Sequence, residues 1–533
     1  MANTKLNPKG KLAVKSIRKV AAKRGEKVAL SKNGNLQFVK EPLQRLYELT
    51  VCTLFGKDTF YRTSDQLVKD MKKELKAAVG ADQLDFVANV AVHARTVMGI
   101  RTMPLVLVVE FARELREQKK QYDNMRRLVC DVIQRADQIT DMYAYALEVF
   151  GDKGKVPMAI KRGVGDAMNK FNEYHYGKYN RDGGVKFRDV LRIVHPDAKD
   201  VKQGFIFEKI MKDTLATPYT WEVELSKNGQ LPLGERKSDK EVWTELLTSG
   251  KLGYMALLRN LRNICEAQVD KSVMKAHVID VLRDPKRVAQ SKQFPFAFVQ
   301  ALRAVESIAP QGLKSALSDA LELSCGNIPQ LGDDVVLLVD SSGSMQGGYQ
   351  FNARGESVST ASPADNAAVL SAALVKANRD AYNLHIIYFD SSAREVSVDP
   401  GARVMENATK LRALSRGGAT RLSAAFKLMK SKNLNPDTLI VLSDMEVNHC
   451  GTYERPDVIF RNKKCIKVAI NFNGSNTTPL SVNDGWYQMA GWSDKMFKFI
   501  PAMRESITVV DALSVSYIGA EAMKAELLNG DTE

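Results

Sequence analysis

The sequence is poor in the residues that mark secreted scaffolds and metal enzymes. Its six cysteines, Cys52, Cys130, Cys265, Cys325, Cys450 and Cys465, are scattered along 533 residues with no CxxC pair. They read as free thiols of a reducing compartment rather than a disulfide framework or a zinc site. No HExxH motif and no Gly-x-x-x-x-Gly-Lys phosphate loop occurs, which removes the commonest signatures of zinc peptidases and nucleotide hydrolases. The longest apolar runs, Leu105–Val109 and Val335–Val339, fall far short of the roughly 20 residues of a membrane span. The opening Met-Ala-Asn-Thr-Lys lacks the apolar core of a secretory signal. A soluble, cytoplasmic protein with no membrane contact is the expectation.

What the chain has is positive charge, unevenly placed. Residues 1–40 hold eleven Lys or Arg against Glu26, or +10 of the net +15. With few large apolar residues, this segment reads as a basic, flexible tail drawn to polyanions, nucleic acid first among them. A merely solubilising tail would look the same. Hydrophobic residues make up 44% and charged residues 26%, ample for packed cores, and the length suggests two to four domains.

From about Pro42 to Gln330 the pattern is helical. Small and apolar residues recur at helical spacing through Val87–Ala94, Pro104 suits the first turn of a following helix, and Glu241–Leu247 and Phe296–Leu302 continue the theme. Many helices of similar size without strands are compatible with an α-solenoid. After Pro329 the texture changes. Val335–Val339, Leu384–Phe389, Leu439–Leu442 and Lys467–Ile470 each read as a buried parallel strand, with helical stretches Asp365–Asn378 and Arg421–Lys430 between them. That alternation predicts a doubly wound α/β domain. The expected domains are therefore a tail over 1–40, a helical region over 41–330 and an α/β domain over 331–533.

Three of the predicted strands end in an acid: Asp340, Asp390 and Asp444. Carboxyl ends of parallel strands are where such folds place ligands. In the turn Asp340-Ser341-Ser342-Gly343-Ser344 one carboxylate and two hydroxyls can face one centre, a hard oxygen set suited to Mg²⁺. Low negative charge would keep a cation there electrophilic toward an acidic group of a partner. A DxSxS turn after a strand, then Gly417-Gly418-Ala419-Thr420, then a strand ending in Asp444, resembles the metal-ion-dependent adhesion site of von Willebrand factor A domains. The resemblance implies that Asp340, Ser342, Ser344, Thr420 and Asp444 coordinate Mg²⁺ or another divalent cation, directly or through water. Ala419 departs from the pattern by separating the glycine pair from Thr420.

A second informative stretch runs from Lys161 to His195, where Lys170, Lys178, Lys186, Arg181, Arg188 and Arg192 interleave with Phe171, Tyr174, Tyr176, Tyr179 and Phe187. Cations neutralise phosphates and aromatic faces stack on unpaired bases, although solvated helix faces over core aromatics give the same composition. Asn169–Phe171, Lys186–Pro196, Val90–Arg95 with Arg101–Leu105, Lys240–Trp243 and Met255–Leu261 resemble the TROVE module of Ro autoantigen proteins, bacterial members included. The order of these blocks, with an A domain after them, carries the resemblance over most of the chain. It implies an all-α ring of HEAT-like repeats followed by the α/β von Willebrand factor A domain, complete within one chain and so monomeric. It further implies binding of small noncoding Y-like RNA on a basic outer surface, and of single-stranded RNA 3′ ends in the ring. A role in RNA quality control or decay follows, with an exoribonuclease such as polynucleotide phosphorylase as partner. Lys170 and His195 match Y RNA-binding positions. Tyr174, Lys178, Arg181, Lys186, Arg188 and Arg192 are candidates by proximity.

Three function classes compete: a non-catalytic RNA-binding scaffold, a metal-dependent protein adhesion module with a helical spacer, and a metal-dependent nuclease. Two-metal hydrolysis needs several clustered carboxylates about 4 Å apart, more than the DxSxS turn supplies. No enzyme is expected.

Overall fold

Small and apolar residues bury the whole stretch Phe86–Ala94 of helix α1 (Leu84–Thr96), as the spacing of Val87, Ala88, Val90, Ala91 and Ala94 requires. In the computed structural model the chain is described at residues 22–23, 27–30, 36–52, 64–151, 155–180, 184–347, 350–351, 357–359, 362–378, 383–447, 465–472, 477–481, 484–490 and 513. It divides into two units.

The helical unit holds residues 75–291 and 300–320 and, of the described residues near the carboxyl end, Leu513. Pro104 sits in the first turn of α2 (Met103–Glu117), where its missing N–H costs nothing. There follow α3 (Met125–Val132), α4 (Asp137–Phe150), α5 (Met158–Met168), α6 (Glu173–Tyr179), α7 (Phe187–Val194) and α8 (Val201–Lys212). Further helices continue from Trp221. Close approach is built into the α3–α5 pair: a Cβ on Gly163 would lie 2.4 Å from the Arg126 carbonyl oxygen. The buried Glu110 is answered by the Arg113 guanidinium at 2.8 Å and the Tyr145 hydroxyl at 2.6 Å, as a carboxylate in a helix core must be. Trp243 is core, stacked on Trp221 with ring centres 6.3 Å apart. Asn260 is buried too and caps its own helix, donating to the Ala256 carbonyl at 2.8 Å. Among the described residues, no helix is long and apolar enough to cross a membrane.

The α/β unit gathers residues 321–512 together with 292–299 and the chain up to Glu74. Its elements are β1 (Val28–Leu30), β2 (Leu36–Val39), β3 (Asp334–Asp340), α9 (Pro363–Ala377), β4 (Asn383–Phe389), β5 (Ala393–Val396), α10 (Val404–Ala413), α11 (Leu422–Ser431), β6 (Thr438–Ser443), β7 (Ile466–Asn471), β8 (Thr477–Thr478) and β9 (Trp486–Ala490). A six-stranded sheet runs β9-β7-β6-β3-β4-β5, parallel except for β5. Central β3 is almost wholly buried, which is why its sequence is a continuous apolar run rather than an alternation. Val336 and Leu338 pack with Leu422, Phe426 and Met429 of α11 and with Trp486. All four expected strands are present at their expected positions, as are both helices.

The amino-terminal segment differs from expectation. Residues 1–21, 24–26 and 31–35 lie outside the described residues, but the basic, flexible tail does not reach residue 40. β1 and β2 form an antiparallel hairpin, and β2 pairs with β8 through Val39↔Thr477 and Phe38↔Thr478. Buried Phe38 and Gln37 supply the side chains that a mobile tail would lack. The helix Pro42–Cys52, expected in the helical region, also belongs here. Gln44 donates to the carbonyl of Gln488 on β9 at 2.9 Å, and the buried Lys40 ammonium meets Glu48 at 2.5 Å. The reason is pattern: Leu36-Gln37-Phe38-Val39 is too short a run to stand out among so many lysines.

Candidate functional site

At the carboxyl end of the sheet, β3 and β6 are neighbours in the register Val339↔Leu442, which brings Asp340 beside Ser443. Asp340 is buried, and its Oδ1 accepts the Ser342 N–H at 2.9 Å while its Oδ2 accepts the Ser443 hydroxyl at 2.5 Å. The Ser342 and Ser344 hydroxyl oxygens lie 3.2 Å apart, and the Ser344 hydroxyl bonds Asp444. Thr420 is buried at the end of the glycine turn. That turn is drawn onto the DxSxS loop by two backbone bonds, Gly343 N–H to the Gly418 carbonyl at 3.1 Å and Gly417 N–H to the Ser341 carbonyl at 3.0 Å. Gly417 and Gly418 have φ of +79° and +118°, a path that favours glycine. Ala419 then adds one residue before Thr420 without breaking either bond.

Burial and the charge of Asp444 push the Asp340 carboxyl well above the usual carboxylate range, and burial raises Asp444 likewise. Two buried carboxylates among hydroxyl oxygens form a donor set that fits a hard divalent cation, whose charge would offset their mutual repulsion. A cation held by Asp340, Ser342, Ser344, Thr420 and Asp444 would supply Lewis acidity and an open position for a further oxygen ligand. Asp390, the third strand-ending acid, is turned to other work. It accepts from Ser392 N–H at 3.0 Å, the Ser341 hydroxyl at 3.2 Å and Arg394 at 3.3 Å, buttressing the loop from behind.

Sequence reasoning missed two supports of this site. Ser443 could have been found, since it precedes Asp444 on the strand adjoining β3. Gln37 left no signal. From β2 its amide donates to the Met445 and Val447 carbonyls at 3.2 and 3.4 Å, gripping the loop just past Asp444. Met445 itself has φ of +61°, strained for a bulky residue, and its N–H is held by the Ser443 hydroxyl at 2.9 Å.

The basic-aromatic stretch sorts into core and surface. Phe171, Tyr176 and Phe187 are buried and meet edge to face, Tyr176 and Phe187 with centres 5.0 Å apart. Tyr174 is 48% exposed. Arg192 and His195 are exposed, His195 closing α7 in the left-handed conformation at φ +43°. Lys178 lies 4.0 Å from Glu222 and 5.7 Å from the Tyr179 ring centre. Lys186 starts α7, its backbone N–H capped by Asp189 at 3.1 Å, and Arg188 beside it is half-buried. Arg181 lies outside the described residues. Lys170 differs from the expected phosphate contact. Its ammonium turns inward and donates to the Cys130 and Ile133 carbonyls at 3.0 and 2.6 Å, capping the end of α3, where a cation meets the negative end of the helix dipole.

Residues 208–325 match the family model of the TROVE domain. Telomerase protein component 1 of Mus musculus and that of Rattus norvegicus are each 36% identical to this chain over 97 residues. That stretch is 18% of this chain but spans only 3% of the length of either relative. The crystal structure of the Deinococcus radiodurans Ro (RSR) protein superposes with a TM-score of 0.58 at 17% identity, covering 87% of this chain and 100% of that one. Residues 208–325 thus carry the likeness to the TROVE domain, and the chain has the fold of the Deinococcus radiodurans Ro (RSR) protein.

Proposed function

We propose that this protein is a non-catalytic, cytoplasmic RNA-binding scaffold that holds small structured RNA in a ribonucleoprotein. The TROVE match over 208–325 carries this reading, and the surface supports it. Tyr174, Arg192 and His195 offer an exposed aromatic, a cation and an imidazole ring along α6 and α7, the chemistry that recognises unpaired bases and phosphates. On this reading Y-like RNA and single-stranded 3′ ends are the ligands. The α/β unit holds Mg²⁺ through Asp340, Ser342, Ser344, Thr420 and Asp444 and presents it to an acidic side chain of a partner such as an exoribonuclease. A second reading, a metal-dependent adhesion module alone, draws on the same convergence of Asp340 and Asp444.

A titration separates them. Purified protein is mixed with a labelled stem-loop RNA and with a duplex bearing a single-stranded 3′ tail, at two salt concentrations, for wild type, Arg192→Ala/His195→Ala and Asp340→Asn. The scaffold reading expects salt-sensitive RNA binding weakened about tenfold by the first variant, through loss of roughly 1–3 kcal/mol of contacts, and untouched by the second. RNA binding absent in wild type would overturn it in favour of adhesion.

A further inference from the structure

Four arginines of the helical unit converge from four separate segments. Arg95 ends α1, Arg101 precedes α2, Arg135 joins α3 to α4, and Arg259 closes the helix Tyr254–Arg259. A single buried amide organises two of them: Arg95 Nη2 donates to Gln138 Oε1 at 3.0 Å, and Gln138 Nε2 donates to the Arg101 carbonyl at 3.0 Å. Arg135 is fixed by a fork onto Asp137 at 3.0 and 2.6 Å, with its guanidinium 4.9 Å from the Tyr179 ring centre.

These cations outnumber their counter-charges. Arg101 is repelled by Arg135 and Arg259, Arg95 by Arg101 and Arg135, and Lys170 by Arg95. Asp137 is the carboxylate that answers Arg95 and Arg101, and Arg135 already occupies it. Burial and this repulsion together hold both guanidiniums below their ordinary affinity for protons. Among the described residues, neither Arg95, Arg101 nor Arg259 makes an ion pair with a carboxylate, and the Arg95 Nε–H is buried with no acceptor. Arg101 and Arg259 are exposed, while Arg95 and Arg135 are half-buried. Unanswered like charge costs stability, and forked guanidinium donors match the oxygens of a phosphate better than any point charge would.

We propose that Arg95, Arg101, Arg135 and Arg259 form a phosphate-binding cradle that grips the backbone of a single-stranded RNA segment. Arg101 and Arg259 reach the phosphate oxygens from solvent. Arg95, steadied by Gln138, and Arg135, steadied by Asp137 and Tyr179, supply the field beneath. The cradle rests on the RNA-binding reading above but uses residues separate from Tyr174, Arg192 and His195, so the two can fail separately.

The test is fluorescence anisotropy of the full chain with a labelled single-stranded oligoribonucleotide across a salt series, for wild type, Arg101→Gln/Arg259→Gln and Arg101→Lys. Each phosphate contact on a single strand contributes about 0.7 to the slope of log K against log salt. The double variant should therefore lower the slope by about 1.4 and weaken binding tenfold or more. Arg101→Lys should keep the slope and lose affinity. Thermal melts with inorganic pyrophosphate form the second arm: the wild type gains several degrees, whereas the double variant starts higher without ligand, its repulsion relieved, and gains nothing. RNA binding with an unchanged slope in the double variant overturns the cradle. Arginine-dependent protection by pyrophosphate without any RNA binding upholds a phosphate site and overturns the RNA reading. Neither binding nor protection overturns both.

Discussion

Lys170 provides the sharpest separation between packing and ligand contact. Its ammonium donates to two carbonyls at the end of α3, at 3.0 and 2.6 Å. Lys170→Met keeps most of the stem and removes only the charge and these bonds. A hydrogen bond from a charged group contributes about 1.5–3 kcal/mol. Here the two bonds lie at the surface, where water can replace them in part, and their gain is offset by the cost of desolvating the ammonium near Arg95. The net expected loss is about 1–2 kcal/mol. Burial holds the Lys170 ammonium below its ordinary value of 10.5. In the window beneath that value the unfolded chain binds the extra proton, so this group makes stability rise with pH there. Urea unfolding followed by circular dichroism, for wild type and Lys170→Met at neutral and at alkaline pH, reads both effects. The variant should unfold at lower urea near neutrality and fall further below wild type as pH rises through that window, while its RNA salt slope stays that of wild type. Unchanged stability together with a slope reduced by about 0.7 would refute the capping role and return Lys170 to the RNA.

The metal site and the α3–α5 contact yield two more expectations. Without divalent cation, the folded Asp340–Asp444 pair binds more protons than the unfolded chain between the ordinary carboxylate range and the raised one, so stability falls as pH rises through that window. Mg²⁺ at a hundred times its dissociation constant should offset this by about 2.7 kcal/mol, and Asp444→Asn should abolish the rescue and shrink the fall to the part that burial of Asp340 alone causes. Melting curves with Mg²⁺ or a chelator at several pH values check it, and wild type indifferent to Mg²⁺ would refute it. Gly163→Ala places a Cβ 2.4 Å from the Arg126 carbonyl and 2.6 Å from Val129 Cβ, so it should cost about 1–3 kcal/mol with no change in Mg²⁺ response. A melting temperature equal to wild type would show that α3 and α5 can separate freely.

Much of the architecture was legible because it follows from period and burial. Val335–Val339 and Leu439–Leu442 announce central strands by being apolar without alternation, and the DxSxS turn follows one of them directly. The basic stretch was half legible: composition shows that aromatics and cations interleave, but only packing tells Tyr176, in the core, from Tyr174, in solvent. Lys170 was placed on the RNA by resemblance, whereas its partners here are backbone carbonyls, which no side-chain pattern records. The arginine cluster was invisible for a related reason. Arg95, Arg101 and Arg135 lie well over a hundred residues before Arg259, and the four meet only once α1 to α4 and the helix Tyr254–Arg259 have packed.

The pairing of β2 with β8 also sets an order of events during synthesis. Residues 36–39 wait until residues 477–478 emerge. At about 5–20 residues per second that wait is roughly 20–90 s. The helices encoded between them close mostly local contacts and can fold as they appear, whereas the grip of Gln37 on the Met445 loop spans 408 residues and must come among the last contacts to close. The strained turn beyond Asp444 is therefore secured only after translation of the α/β unit is nearly finished. A nascent chain halted before β8 would carry residues 75–291 and 300–320 of the helical unit and an open sheet edge, the state in which a chaperone has most to cover.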